Sequence, residues 1–148
     1  MGFLNQLLKY KKVCIQCHNC PDADALAAAY GVYTYLKLHD IKASIIYGGE
    51  REIQKKDLLY MLNICEIPAE YVEELPDTEL LLLVDGQYGQ GNVYHFDADN
   101  IVVIDHHMPF MKKTPQTLID NSYQSCSTIV WELLKEEGAH RAVLAREL

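Results

Sequence analysis

Four short stretches of this chain end in groups that can hold a cation. His18, Asp22 and Asp24 lie within seven residues of one another, just after the apolar segment 13–17. Asp85 directly follows the apolar run 80–84. Asp105, His106 and His107 directly follow 101–104, and Asp120 closes the short apolar stretch Thr117-Leu118-Ile119. Carboxylates and neutral imidazoles suit hard-to-borderline divalent ions such as Mn²⁺ or Mg²⁺. Crowded together without cations, the same carboxylates repel and raise one another's pKa. Two cations about 3.5–4 Å apart can acidify a water and neutralise a phosphoryl group under attack. Any one of these residues alone is ordinary turn chemistry; their recurrence after four apolar segments is the signal.

The elements that must position them follow from hydrophobic patterning. Residues 13–17, 43–47, 80–84 and 101–104 read as buried strands, and the continuous apolar run 80–84 suits a parallel strand covered on both faces. Residues 24–38, 54–63 and 128–137 read as helices, the last closed by Gly138 just beyond its end. The tail 139–148 reads as a further helix or a disordered end. Strands alternating with helices predict an α/β fold, one domain spanning 1–148, with a parallel sheet of about four or five strands flanked by helices. In such sheets ligands bind at the carboxyl ends of the strands, where the candidate residues fall.

Bulk properties narrow the partners. The 148 residues are 49% apolar and carry a formal net charge of -8, which predicts an ordered domain without a basic surface for long duplex nucleic acid. A small phosphorylated substrate or short oligonucleotide stays compatible, because bound cations reverse the sign of an acidic site. No segment has the pattern of a signal peptide or the length of a membrane span, so the expectation is a cytoplasmic protein without membrane association, with homo-oligomerisation left open. Five cysteines in such a chain argue against a disulfide framework. Cys14-Ile15-Gln16-Cys17-His18 fits the haem-attachment spacing, but on a strand Cys14 and Cys17 diverge; both read as buried structural cysteines. His39, His95 and His140 read as surface residues.

The segments His18-Asn19-Cys20-Pro21-Asp22-Ala23-Asp24-Ala25, Leu83-Val84-Asp85 and Val103-Ile104-Asp105-His106-His107-Met108-Pro109, then Asp120-Asn121-Ser122 with Ser125-Cys126-Ser127-Thr128, resemble in order the four motifs of the DHH phosphoesterase family. The resemblance implies the fold of that family's N-terminal domain and two divalent ions, Mn²⁺ first and Mg²⁺ second. It implies that His18 and Asp22 hold one ion, that Asp24, His106 and Asp120 hold the other, and that Asp85 bridges both. His107 would contact the scissile phosphate and Asp105 would orient a histidine. Ser127 and Thr128 would either donate to phosphate or cap the last helix. Active members of the family carry a second, C-terminal domain with basic substrate-binding residues, which the resemblance does not extend to here. Three readings follow: a metal-dependent hydrolase of phosphoesters in short oligonucleotides or small nucleotides; a metal- or nucleotide-binding module that needs a second domain or partner; and, third, a manganese-dependent inorganic pyrophosphatase.

Overall fold

The computed structural model describes residues 2–142. A 3-10 helix, Phe3–Lys9, opens the chain. It is followed by β1 (Lys12–Gln16), α1 (Ala23–Leu38), β2 (Lys42–Tyr47), α2 (Lys56–Ile64), β3 (Ala69–Tyr71), β4 (Leu80–Val84), β5 (Ile101–Asp105), β6 (Thr117–Ile119) and α3 (Cys126–Glu136). The tail expected as a helix or disordered end lies mostly outside the described residues. Gly138 sits at φ 68° beyond α3, where its amide and that of Ala139 return to the carbonyls of Lys135 and Leu134. This is the left-handed helix end its position predicts.

All six strands are parallel, in the order β3-β2-β1-β4-β5-β6. The sheet therefore exceeds the expected four or five strands. β3 and β6 are each three residues long, too short to show a period of two in the sequence. From β1 the chain winds outward to β3, returns to β4 and winds outward the other way. The direction of winding reverses between β1 and β4, and at such a switch point the strand-end loops part to leave a crevice.

The two faces of the sheet differ. On one, Ile15, Ile45, Leu82 and Ile104 pack with Leu4 and Leu7 of the 3-10 helix and with the apolar sides of α1 and α3. Gly31 lets α1 and α3 approach closely: a Cβ there would lie 2.8 Å from Val130 Cγ1. The opposite face is covered by loops, with Phe96 over Cys14, Ile46 and Leu81, and Val93 over Leu83 and Val103. Cys14 and Cys17 thus lie on opposite faces, both buried, and all five cysteines are free. His39 and His95 are exposed, whereas His140 is half-buried with its ring 5.6 Å from that of Trp131. That corrects its assignment to the surface: the turn after α3 folds it back onto the helix.

Candidate metal centre

β1 ends at Gln16, and two residues later His18 enters the crevice. Its Nδ1 donates to the Asn19 carbonyl at 2.8 Å, which leaves Nε2 to face Asp85 Oδ2 at 3.4 Å and Asp22 Oδ1 at 3.7 Å. Asp22 also caps α1, its Oδ1 accepting from the Ala25 amide at 2.9 Å. The turn is fixed from the far side, where the Asn19 amide donates to Asn92 O and its Oδ1 accepts from the Tyr94 amide.

β4 delivers Asp85 at the switch point. Its side chain is 3% exposed and its backbone is left-handed, φ 60°, a conformation that costs a non-glycine residue on the order of 1–2 kcal/mol. Oδ1 is buried and makes no hydrogen bond among the described residues, although His106 Nε2 stands 3.1 Å away. Burial, reinforced by the Asp24 and Asp22 carboxylates, holds the Asp85 carboxyl above its usual range against the opposing contact with His18. For His18, burial lowers the pKa, but the contacts with Asp85 and Asn19 outweigh it and raise it to about 9. A simple ion pair would lower the acid and raise the base. Here both rise, so the crevice binds positive charge more tightly than its separate groups would.

β5 supplies the other side. His106 Nδ1 donates to the Tyr123 carbonyl at 3.3 Å, and Nε2 meets Asp85 Oδ1 and, at 3.6 Å, Asp24 Oδ2. His107 is half exposed; its Nδ1 donates to Asp105 Oδ1 at 2.7 Å. Asp105 is wholly buried and also accepts from Gln87 Nε2 at 2.8 Å. Each of the three imidazoles therefore has Nδ1 held by an oxygen and Nε2 left over, the arrangement that fixes the tautomer of metal-bound histidine.

The donor set fits divalent cations. His18, Asp22 and Asp85 form one cluster and Asp85, His106 and His107 a second, each with ligand atoms within 4.8 Å of one another. Octahedral ions bound at about 2.0–2.1 Å place neighbouring ligands about 3 Å apart; the contacts of 3.1, 3.4 and 3.7 Å need only small closure. Asp85 belongs to both clusters and presents a different oxygen to each.

Asp24, Asp120, Ser127 and Thr128, all singled out in the sequence, stand apart from these clusters. Asp24 borders the second through His106, but both its oxygens also accept from amides at the start of α3, Cys126 at 2.9 Å and Ser127 at 2.8 Å. Asp120 is not brought in. Its Oδ1 accepts from the Ser122 amide and hydroxyl, which hold its carboxyl below the usual range. Thr128 serves the helix cap: its amide donates to the N-cap Ser125, and the two hydroxyls lie 2.6 Å apart. Ser127 Oγ donates to Ser125 Oγ at 3.3 Å.

Gln87 escaped the sequence reading. Fully buried, it donates to Asp105 and to the Met108 carbonyl, and its Oε1 accepts from the amides of Phe110 and Met111. It fastens the loop after His107 to the loop after β4. The only sequence cue is a glutamine two residues beyond a strand-ending aspartate, and that pattern does not announce burial.

The model of the DHH family's N-terminal domain matches residues 12–148. The chain belongs to the DHH family. No curated protein sequence matches it. Among solved structures, this DHH chain is similar to an exopolyphosphatase-related protein from Bacteroides fragilis, with a TM-score of 0.61 at 18% sequence identity. The likeness covers 93% of this chain and 44% of that protein, so the chain spans under half the length of that relative. At that identity the likeness speaks for the fold alone. Among the described residues, no helix is long and apolar enough to cross a membrane.

Proposed function

We propose that this chain is a divalent-metal-dependent hydrolase acting on phosphoester bonds in small nucleotides or short oligonucleotides, using two ions, with Mn²⁺ preferred. The observation that carries the reading is Asp85: a buried carboxylate at the switch point, one oxygen without a hydrogen bond, facing an imidazole on either side. Membership of the DHH family supports phosphoester hydrolysis as the kind of reaction. Bound between these groups, divalent cations supply charge neutralisation at the phosphoryl group and an acidified water.

The chain's own residues do the positioning. His18 and Asp22 hold one side, His106 and Asp24 the other, and Asp85 spans them. His107, its Nδ1 committed to Asp105, keeps Nε2 for a phosphoryl oxygen. Asp105, held in turn by Gln87, sets the plane of that ring. Carbonyl acceptors on His18 and His106 keep Nε2 of each directed at the crevice.

The test is turnover with manganese on a panel of an aryl phosphodiester, a dinucleotide, a 3′,5′-bisphosphonucleotide and pyrophosphate. The expected result is product from the nucleotide substrates, abolished by chelation and reduced about 100-fold or more in His107→Ala. Turnover of none of them by metal-loaded protein overturns the reading. It would favour a metal- or nucleotide-binding module that needs a second domain or partner. Hydrolysis of pyrophosphate alone would favour the pyrophosphatase.

A further inference from the structure

A small cavity of about 170 Å³ adjoins the metal centre and shares Asp22 with it. Its wall is mainly apolar, formed by Cys20 and Pro21 on the turn after β1 and by Ile53 and Leu58 at the entry to α2, with the exposed Glu52 and Gln54 completing the rim. Arg51 and Lys55 stand at its edge, both exposed, and neither side chain makes an ion pair or hydrogen bond with the described residues. The cavity therefore joins three things: an apolar wall, two unpaired cations and a ligand of the candidate metal centre.

An inorganic phosphate chain would use the cations and leave the apolar wall bare. A nucleotide uses both: its base can lie against apolar side chains while its phosphate reaches the cations and the metal centre. The volume suits one planar ring system rather than a drug-sized ligand, whose pockets run to about 300–1,000 Å³. We infer that this cavity is a subsite for the nucleoside part of a nucleotide whose phosphate is held at the metal centre, with Arg51 and Lys55 reading its negative charge. The inference rests on the phosphoester reading above and names the part of the substrate that distinguishes it from inorganic polyphosphate.

Cys20 reports directly on occupancy, because it lines the cavity and is the exposed cysteine among otherwise buried or half-buried ones. The experiment alkylates the full chain in manganese and follows Cys20 by peptide mass spectrometry, with Cys65 as the internal reference. Adenosine monophosphate, ribose 5-phosphate and pyrophosphate are compared at equal concentration. Adenosine monophosphate is expected to slow Cys20 labelling about tenfold, with the two base-free compounds having little effect. In the Arg51→Ser/Lys55→Ser variant, half-protection should need about tenfold more nucleotide at an unchanged melting temperature. Equal protection by all three compounds, or protection by none, overturns the subsite. Protection with no hydrolysis of any phosphoester leaves the subsite standing and removes the enzyme reading; hydrolysis of nucleotides with Cys20 unprotected does the reverse.

Discussion

Asp85 and Asp120 each follow an apolar strand, and each is followed by small or polar residues, yet the two strand exits behave oppositely. At the end of β4 the backbone turns left-handed and the carboxylate is buried without a full set of partners, its proton affinity raised. At the end of β6 the carboxylate closes a turn of its own, both donors supplied by Ser122, and its proton affinity is lowered. The cause is position in the sheet. β4 is flanked by β1 and β5, which deliver His18 and His106 beside Asp85, whereas β6 is the edge strand. The strand-ending aspartate that neighbouring strands wall in faces two imidazoles, and the one at the sheet edge faces its own turn.

The largest expected effect is at the β4 exit. Asp85→Asn should weaken manganese binding at least about 100-fold, beyond the 10–100-fold that supporting partners of a metal site command. Without metal and above pH 9, where His18 is neutral, the same variant should melt no lower than the parent protein, because it removes a buried charge with an unpaired oxygen. A thermal melt with and without manganese separates the two effects. A second break targets the brace. Gln87→Leu removes one of the two side-chain donors to the buried Asp105 carboxylate and leaves two loop amides without their acceptor, so a destabilisation of about 2–4 kcal/mol should appear in denaturant melts. Part of the metal response should survive it, because Gln87 touches neither His18 nor Asp22.

Protons provide a gentler probe. His18 has a folded pKa of about 9, above its ordinary 6.5. Its stabilising contribution is therefore complete below pH 6.5 and lost as pH rises through 9. Metal-free protein should lose stability across that window. Manganese affinity should rise across the same window, because the ion displaces a proton from the imidazole. Melts at pH 6.5 and pH 9, with and without metal, should therefore diverge, and parallel curves would remove His18 from the site. The smallest effect belongs to the β6 exit. Asp120→Asn should cost about 1 kcal/mol from its turn and leave manganese affinity within about threefold, less than the tenfold that 1.4 kcal/mol represents. A loss comparable to that of Asp85→Asn would erase the contrast between the two exits and restore Asp120 to the ligand set that the family resemblance implies.

This contrast also marks what the sequence could reveal. The strand exits were legible because apolar runs such as Leu80–Val84 stop abruptly at a charged residue, and the order of the motifs identified the fold. Sheet position was not legible: β3, three residues long and half exposed, carries no pattern, so the edges of the sheet were undetermined. The family resemblance places Asp120 among the ligands, and nothing in the sequence marks its place at the edge of the sheet. Double roles were equally hidden. The family resemblance implies Asp24 as a ligand, and its second role at the start of α3 depends on residues about a hundred positions away. Gln87 acts through loops that meet only in the folded chain.

The most direct test is a calorimetric titration of the metal-free chain with Mn²⁺, run in parallel on Asp85→Asn. Saturable binding of about two ions to the parent protein, with at least one lost from the variant, is the predicted result. Binding that is unchanged by the substitution, or no saturable binding to the parent protein, would contradict the claim that Asp85 is the shared ligand of a metal centre.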